Sequence, residues 1–345
     1  MKQGNRYGLH RVIEPEGVLP QPAKRLDNSV DKIYDNEILI DVETLNIDAA
    51  SFTQIQEEAE GDEEKIKSRM KEIVQERGKH HNPVTGSGGM LIGTVEKIGD
   101  KLRDRKLEVG DRIATLVSLT LTPLKIDKIK QVNKETDQVE IGGKAILFES
   151  GIYSHLPDDM EDTLALAVLD VAGAAAQTAK LVSPGDNVLI IGAGGKSGLL
   201  CLHEARKRAG VTGCVMGMGH SDESTSRIEE VGLADEVLQG DATNSTEVYE
   251  MVAEATEGEM ADVVINNVDI PDTEMGSILA AKEGGLIYFF SMATKFTKAA
   301  LGAEGVGKDV NMIIGNGYTE GHAEISLEIL RENEKLREIF ESLYI

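Results

Sequence analysis

Cysteine, tryptophan and long apolar runs are scarce or missing in this sequence of 345 residues. Tryptophan does not occur, and Cys201 and Cys214 are the two cysteines. Two thiols in a chain of this length exclude a disulfide framework and are typical of a reducing compartment. No apolar run approaches the roughly 20 residues of a bilayer-spanning helix, and residues 1–5 lead into no signal-peptide core. We therefore expect a soluble protein of the cytoplasm.

Basic residues are also few. Lysine and arginine number 36 against 60 aspartates and glutamates, which gives a formal net charge of −24. A surface this acidic repels nucleic acid and anionic lipid, so we expect neither nucleic acid nor a membrane as a partner. The acidity would suit a cationic small molecule, although solubility alone also explains it. The length allows about two domains with buried cores.

Residues 192–198 read Gly-Ala-Gly-Gly-Lys-Ser-Gly, a string that two phosphate-binding motifs share in part. The Lys-Ser pair resembles the loop of nucleoside-triphosphate enzymes. That motif requires a glycine five positions before Gly195, and position 190 is isoleucine. The spacing excludes a triphosphate loop.

The same residues fit the glycine turn that binds a dinucleotide. An apolar strand at 187–191 precedes Gly192, and a helix at 199–209 follows, with its free N–H groups toward a pyrophosphate. Gly198 lies one position later than in the common G-x-G-x-x-G pattern. A tight turn without a ligand is the alternative. The expected cofactor contacts in this turn are Gly192, Gly194, Gly195, Lys196, Ser197 and Gly198.

From residue 180 onward, short apolar strands alternate with amphipathic helices. The strand candidates are 188–191, 213–216, 236–238, 263–266, 286–291 and 312–315, and the helices lie near 195–209, 224–231, 246–256 and 273–282. This alternation indicates the α/β class with a doubly wound parallel sheet. Ligands bind at the carboxyl ends of such strands. The polar residues expected to contact a cofactor there are His220, Asn266, Asn267 and Ser291.

Residues 1–155 have a different pattern, typical of a β-rich domain. Its strand candidates are 37–45, 91–98, 111–119 and 138–148. A charged helical insertion at about 54–78 interrupts them, with Ile66, Met70, Ile73 and Val74 on one face. We interpret this insertion as an exposed helix that covers the β-rich domain. A cofactor lid or a dimer contact is the alternative.

The second domain, 156–345, begins and ends with predicted helices. Residues 159–182 are rich in alanine and leucine and predict one long helix that leads into the nucleotide fold. Residues 323–342 predict a charged amphipathic helix.

The order of the two domains resembles the medium-chain dehydrogenase/reductase superfamily. The segments that carry the resemblance are 90–99, 109–113, 188–195, 261–266 and 282–288. The resemblance implies a GroES-like β-rich domain followed by a Rossmann domain, and a homo-oligomer, most simply a dimer. The insertion at 54–78 and the turn at 192–198 are similar to a zinc-independent branch of amine dehydrogenases that oxidise a small diamino acid. This closer resemblance implies NAD as the cofactor.

The superfamily pattern also bears on metals. It puts Asp48, Gly89 and Ala167 at the three positions that hold catalytic zinc in other members. One carboxylate cannot hold a zinc ion, which requires three protein ligands and an open position. Two cysteines also exclude a four-cysteine structural site. We expect no metal, with the adjacent His80 and His81 as the remaining alternative.

Oxidation of an amine, which the resemblance implies, requires a base, because an ammonium has no lone pair with which to expel hydride. Asp48 is a candidate base or ammonium partner, with a cap on the turn at 46–51 as the alternative. His81, or its neighbour His80, is the natural base at neutral pH. Asp170 lies among small and apolar neighbours, so it is either functional or paired across a domain interface.

Two further groups keep alternatives open. Lys295 and Lys298 follow the expected fifth strand and could meet a substrate carboxylate, or lie in a solvated loop. The second strand ends without the acid that binds the ribose of NAD; His220, Ser221 and Arg227 there leave NADP open. Alternatives to an amine dehydrogenase are a zinc-free quinone or enone reductase of the same superfamily and a non-catalytic redox sensor that binds dinucleotide.

Overall fold

In the computed structural model, which describes residues 1–315 and 317–345, the chain divides into two units, Met1–Asp159 and Met160–Ile345. The first unit is built on an antiparallel sheet and the second on a parallel one. The two sheets together confirm the α/β fold class with a β-rich first domain.

The first unit centres on a six-stranded sheet with strand order β6-β7-β3-β4-β5-β8. Its long strands have apolar residues that face a common core with the helical insertion. The elements are β1 (Val12–Glu14), β2 (Arg25–Leu26), β3 (Glu37–Ile47), α1 (Ala49–Glu58), α2 (Glu63–Arg77), β4 (Gly89–Ile98), β5 (Arg112–Thr115), β6 (Leu124–Asn133), β7 (Gln138–Phe148) and β8 (Tyr153–His155).

The insertion forms two helices, so the prediction of one helix over 54–78 is wrong in that detail. Gly61 lies between α1 and α2 with a φ of 74°, a left-handed conformation that stops a helix. Asp62 then begins α2, because its side chain accepts a hydrogen bond from the Lys65 N–H. Ile66 and Met70 of α2 are fully buried in the core of the β-rich unit. The insertion therefore covers the sheet, as its apolar face predicts.

A buried ion pair holds the start of this unit. The Arg11 guanidinium donates to both carboxylate oxygens of Glu37 at 2.8 and 2.7 Å, and both side chains are buried. Burial alone would raise the pKa of Glu37, but the hydrogen bonds from Arg11, His10 and the Tyr34 N–H lower it to about 2. The pair is therefore charged across the neutral range.

The second unit contains a six-stranded parallel sheet with strand order β11-β10-β9-β12-β13-β14. The six strands fall on the predicted segments. The order reverses between β9 and β12, and this is the point where doubly wound sheets bind ligands. The strands are β9 (Asn187–Ile191), β10 (Cys214–Gly219), β11 (Glu236–Gln239), β12 (Ala261–Asn266), β13 (Ala281–Phe289) and β14 (Asn311–Ile314).

Helices pack on this sheet. Four of them lie near the predicted positions, and α9 is a helix that the sequence reading missed. The helices are α3 (Asp162–Leu169), α4 (Ala172–Leu181), α5 (Lys196–Ala209), α6 (Asp222–Val231), α7 (Ser245–Ala255), α8 (Glu274–Ala280), α9 (Phe296–Val306), α10 (His322–Glu332) and α11 (Glu334–Tyr344).

Two of the predicted long helices are broken, which corrects both predictions. The stretch 159–182 divides into α3 and α4 with a bend of 50°, where Val171 leaves the helical conformation with ψ at 13°. The stretch 323–342 divides at Asn333, which has a φ of −132° and accepts from the Leu336 N–H. An asparagine side chain that competes for backbone donors favours a cap over a continued helix.

Among the described residues, no single helix is both long and apolar enough to cross a bilayer. Only α3 and α4 taken together reach the required length and composition, in spite of the bend.

Candidate functional site

A cavity of about 500 Å³ lies at the carboxyl ends of β9, β10, β11 and β12. This volume is within the ordinary range of small-molecule sites. Its lining comes from the glycine turn after β9 and from the residues that follow the three neighbouring strands. These residues include Gly192, Gly194, Gly195, His220, Ser221, Asp241, Thr243 and Asn267.

The glycine turn requires glycine at two positions for physical reasons. Gly192 has a φ of 80°, a conformation that other residues rarely adopt. A Cβ on Gly194 would lie 2.2 Å from the Ser224 carbonyl oxygen, so only glycine allows the turn to approach α6 this closely. Gly195 is exposed, and no other part of the described chain lies closer to its Cβ position than the Gly192 oxygen at 3.4 Å. The turn is packed on one side and open on the other.

Helix α5 begins directly after this open side. Gly195 is its N-cap and no side chain caps its first N–H groups. Uncapped N–H groups and the positive end of the helix dipole together favour an anion such as a pyrophosphate. Lys196 and Ser197 are in the first turn of the helix, half-buried.

The structure brings together two of the predicted site residues, Asp170 and Lys196. Asp170 ends α3, and its Oδ2 lies 2.7 Å from Nζ of Lys196. Nζ of Lys196 also lies 5.4 Å from the centre of the Tyr344 ring, near the end of α11. Burial raises the pKa of Tyr344, so its hydroxyl stays neutral. The sequence reading did not anticipate a role for Tyr344, because nothing in the local pattern indicates that α11 reaches the glycine turn.

The two asparagines after β12 have different environments. Asn266 is fully buried, and its Nδ2 donates to Thr273 Oγ1 and Ser277 Oγ, both at 2.9 Å. These bonds tie the end of β12 to α8. Asn267 lines the cavity, and its Nδ2 is buried with no hydrogen-bond partner among the described residues. An amide donor in that state needs an acceptor from a ligand or a water molecule.

The side-chain Oδ1 of Asn267 lies 4.0 Å from the Cys201 sulfur. Burial raises the pKa of the Cys201 thiol to about 12. Both cysteines of the chain are free thiols.

Three other predicted cofactor contacts lie at strand ends or in the turn. His220 is exposed and lines the cavity. Gly198 is buried beside Gly192, whose oxygen would lie 2.1 Å from an added Cβ. Ser291 does not line the cavity. Its hydroxyl donates a hydrogen bond to Asp269 at 3.0 Å and accepts one from the Ala293 N–H.

In the first unit, Asp48 precedes α1 but does not cap it with its side chain. Its Oδ2 instead accepts a hydrogen bond of 2.8 Å from the Gly88 N–H. The cap that was the alternative interpretation of Asp48 is therefore wrong. The bond fastens the carboxylate to the loop that follows the two adjacent histidines.

The neighbouring Gly89 bears on the zinc pattern. Its φ is 115°, and a Cβ there would lie 2.0 Å from the Asn46 carbonyl oxygen. No side chain can be accommodated at this position without a change of backbone. Ala167 on α3 offers only a methyl group. The residues at the superfamily's catalytic zinc positions therefore do not fit a zinc ion.

His80 and His81 are both neutral at physiological pH. His80 is fully buried, neither ring nitrogen has a partner among the described residues, and burial with the neighbouring His81 lowers its pKa to about 4. His81 is half-buried, and burial together with Lys79 and Arg77 lowers its pKa to about 4. A neutral imidazole that is partly exposed can accept a proton.

In the part of the chain that the structure describes, one group of potential metal ligands lies on the second unit. It comprises His203 and Glu204 on α5 and Glu332 on α10. Lys207 pairs with Glu332 at 2.6 Å, and Arg208 pairs with Glu204 at 3.1 Å. Because each carboxylate already has a basic partner, this group is explained as an ion-pair network.

The two lysines considered for the substrate carboxylate lie near the start of α9. Lys298 forms an ion pair with Asp272, and both side chains are exposed. Lys295 is exposed, and its N–H donates to Glu274 at 2.7 Å. The contacts of these lysines favour the interpretation of a solvated segment.

Known proteins are similar to this chain over its first unit and over its full length. The family described as the L-erythro-3,5-diaminohexanoate dehydrogenase N-terminal domain matches residues 10–157. A relative from Acetoanaerobium sticklandii named L-erythro-3,5-diaminohexanoate dehydrogenase is 61% identical over 99% of this chain and 100% of its own length. A relative of the same name from Fusobacterium nucleatum subsp. nucleatum is 61% identical over 100% of both chains.

Solved structures support the fold at lower identity. The crystal structure of AibC matches with a TM-score of 0.56 and 17% identity, covering 88% of this chain and 83% of that one. A quinone oxidoreductase from Pseudomonas syringae pv. Tomato matches with a TM-score of 0.51 and 18% identity, covering 92% and 83%. At this identity the likeness supports the fold alone.

Proposed function

The chain belongs to the L-erythro-3,5-diaminohexanoate dehydrogenase family, and from this membership we propose its reaction. It oxidises L-erythro-3,5-diaminohexanoate at C3, passes hydride to NAD⁺, and releases ammonium and 5-amino-3-oxohexanoate. The observation that carries the proposal is the 61% identity to two relatives of that name over the full length of the chain. The chain is thus an oxidoreductase, and the substrate and products are the proposed part.

The cavity at the strand ends supports a dinucleotide as the cofactor. The open glycine turn and the uncapped start of α5 suit a pyrophosphate, and the unpartnered Nδ2 of Asn267 offers a donor in the same cavity. Bound there, the nicotinamide would accept the hydride. Lys196 and Ser197 in the first turn of α5 would add polar groups beside the pyrophosphate.

Asp48 and His81 are the proposed groups for proton transfer. The substrate amine must lose a proton before hydride can leave, and water must then attack the imine. His81 is neutral and partly exposed, so an unprotonated ring nitrogen is available to accept a proton. Asp48 suits an ammonium partner, because a carboxylate forms a charge-assisted hydrogen bond with it. Its bond to Gly88 links it to the loop that begins with the histidines.

For Asp170 we propose a role through Lys196. The sequence pattern suggested a catalytic carboxylate, but the carboxylate lies 2.7 Å from the lysine of the glycine turn. A carboxylate that is ion-paired with Lys196 at 2.7 Å can orient the lysine at the start of α5.

Metal assistance is not part of the proposal. The amine lone pair drives hydride departure once the proton is removed, so polarisation by a metal ion is not required. The poor fit of Gly89 and Ala167 to zinc supports this route.

We further propose a cytoplasmic homodimer. Free thiols in both cysteines support a reducing compartment. Strand β14 is at one edge of the parallel sheet, and Ile314 at its end is 62% exposed. An exposed apolar edge strand suits pairing with a second copy of the chain.

The reaction is tested by following NADH absorbance with purified protein and L-erythro-3,5-diaminohexanoate, with and without a chelator. We expect turnover that the chelator leaves unchanged. His81→Gln and Asp48→Asn should each lower kcat by about 100-fold, the usual contribution of an acid–base group, and leave NAD⁺ binding intact. His155→Gln, which replaces an exposed histidine paired with Asp111, is the control.

Two results would contradict the proposal. No NADH from this substrate or from related diamines removes the substrate assignment. Turnover that disappears with chelator and returns with zinc removes the metal-free route.

A further inference from the structure

The cavity lacks the acid that binds ribose at the usual place. In dinucleotide sheets this acid follows the second strand, which here is β10. The residue after β10 is His220, and the next acid along the chain, Asp222, begins α6. Asp222 accepts a hydrogen bond of 2.8 Å from Gln239 and is not among the residues that line the cavity.

A carboxylate does reach the cavity from the next strand. Gly219 of β10 is paired with Gln239 of β11, and the Gly240 N–H donates to the Gly219 oxygen at 3.1 Å. His220, one residue beyond the end of β10, and Asp241, two residues beyond the end of β11, follow the paired ends of these neighbouring strands. Both line the cavity.

We propose that Asp241 selects the cofactor, as the carboxylate that accepts from the adenosine ribose of NAD and repels the 2′-phosphate of NADP. The inference rests on the proposed function only in taking the cavity as the dinucleotide site. It makes Asp241 a specificity-determining residue supplied by the third strand instead of the second.

The environment of Asp241 suits this role. Oδ1 accepts two hydrogen bonds from Thr243, from its N–H at 2.9 Å and its hydroxyl at 2.8 Å. Oδ2 has no hydrogen bond from the described residues. The bonds from Thr243 lower the pKa of the carboxyl, and nearby His220 lowers it further, so the group is ionised at neutral pH. One oxygen is fixed to the loop and the other is available to a hydroxyl donor.

The basic groups nearby are poorly placed to hold a 2′-phosphate. Arg227 donates through Nη1 to the Gly194 oxygen at 3.2 Å and pairs through Nη2 with Glu223. These contacts direct the guanidinium to the glycine turn and to α6 itself. His220 lies close enough to Asp241 to affect its ionisation, and a phosphate that approached His220 would also approach the carboxylate.

The test is the ratio of the dissociation constants for NADP⁺ and NAD⁺, measured by isothermal titration calorimetry without substrate. The variant is Asp241→Asn, which can keep the Oδ1 bonds to Thr243 and removes the charge. We expect wild-type protein to prefer NAD⁺, and the variant to reduce the preference at least about tenfold, equivalent to about 1.4 kcal/mol. Asp222→Asn is the matched control, because it removes the same charge outside the cavity and should leave the ratio unchanged.

Three results would overturn the inference. They are an unchanged ratio in Asp241→Asn, an equal change in Asp222→Asn, and a loss of NAD⁺ affinity with no relative gain for NADP⁺, which would mark a role in adenine or loop binding. If Asp241→Asn does not fold, Asp241→Ser provides the same comparison with a smaller neutral side chain. Failure of the diamine assay with the expected change in ratio would remove the proposed substrate alone. Failure of wild-type protein to bind either dinucleotide would remove both proposals.

Discussion

His80 shows how one buried side chain can link the stability of the protein to pH. Its imidazole is fully buried and unpartnered among the described residues, and its pKa falls from 6.5 to about 4. The unfolded chain therefore takes up a proton at a higher pH than the folded one. The contribution of the neutral His80 to the free energy of unfolding is fully present above about pH 6.5. It is lost as the pH falls toward 4, below which the imidazole is protonated in both the folded and the unfolded chain.

We expect acid to destabilise the wild-type protein by about 3 kcal/mol between these limits through His80, since each pKa unit corresponds to about 1.4 kcal/mol. His80→Leu, which cannot be protonated, should lose less stability over the same range. The measurement is urea unfolding at several pH values between 7.5 and 4.5, with His155→Gln as a control at an exposed histidine. Parallel curves for wild type and His80→Leu would show that the buried imidazole does not contribute.

The sequence predicts which residues lie near the candidate site, but it does not predict the contacts that each side chain makes. The backbone explains two of the predicted glycines, because Gly192 has a positive φ and Gly194 lies against the Ser224 carbonyl oxygen. Asn266 and Asn267 are neighbours with the same side chain, yet one is used up in bonds to α8 and the other faces the cavity. Direction of a side chain at a strand end depends on the loop that follows, and no local pattern encodes it.

At the scale of elements, the break between α3 and α4 determines what Asp170 can do. In a continuous helix Asp170 would be an interior residue with small neighbours on the adjacent turns. The bend after it leaves the carboxylate at a helix end, 2.7 Å from Lys196 at the start of α5. Tyr344 of α11 completes the surroundings of this lysine. Three helices distant in sequence therefore meet at the glycine turn.

We expect Asp170→Asn to weaken NAD⁺ binding by up to about fivefold, because partly exposed ion pairs contribute about 1 kcal/mol or less. Tyr344→Leu should weaken it by a few-fold, as loss of a partly buried cation–π contact of about 1 kcal/mol implies. Tyr344→Phe keeps the ring and should bind as wild type does. Calorimetric titration with NAD⁺ gives the affinities.

Kinetics at saturating NAD⁺ separate the two roles of Asp170. A preserved kcat in Asp170→Asn agrees with positioning through Lys196. A kcat that falls by orders of magnitude while NAD⁺ affinity is kept would assign the carboxylate to the chemistry instead. Equal NAD⁺ affinity of Tyr344→Leu and wild type would show that α11 does not contribute to cofactor binding through Lys196.

Strands were predicted better than helix boundaries, for a physical reason. The six parallel strands are short apolar runs between turn residues, so local composition marks them. Helix propensity does not locate the breaks at Val171, which has a ψ of 13°, and at Asn333, whose side chain accepts a hydrogen bond from the Leu336 N–H. The sequence does not predict strand β6, because its lysines and its mostly exposed residues resemble a loop, with Leu124 and Val132 as its two buried positions.

At the scale of the whole molecule, the exposed apolar residues of the second unit bear on assembly. Ile314 is the last residue of the edge strand β14, and Met292, Phe296 and Leu301 in and before α9 are 82%, 69% and 60% exposed. Exposed apolar residues around an edge strand are typical of a protein interface or of a surface that aggregates. The proposed dimer would cover them.

Sedimentation velocity tests this proposal. We expect wild-type protein to sediment as a dimer of the 37.3 kDa chain. Ile314→Lys should shift it toward the monomer, because a charge on the edge opposes strand pairing. Val211→Lys, at a residue that is fully exposed elsewhere on the unit, is the control. A monomeric wild type, or equal behaviour of the two variants, would contradict the proposed edge.

The burial of Cys201 behind Asn267 has a consequence for resistance to oxidants. A thiol with a pKa of about 12 carries almost no thiolate in the cell, and thiolate is the form that peroxides and alkylating agents attack. The Cys201 thiol beside Asn267 is therefore unreactive toward these agents, and the half-buried Cys214 is the more accessible of the two thiols. Oxidation or alkylation of Cys201 should therefore not inactivate the enzyme under conditions in which an ordinary exposed thiol reacts.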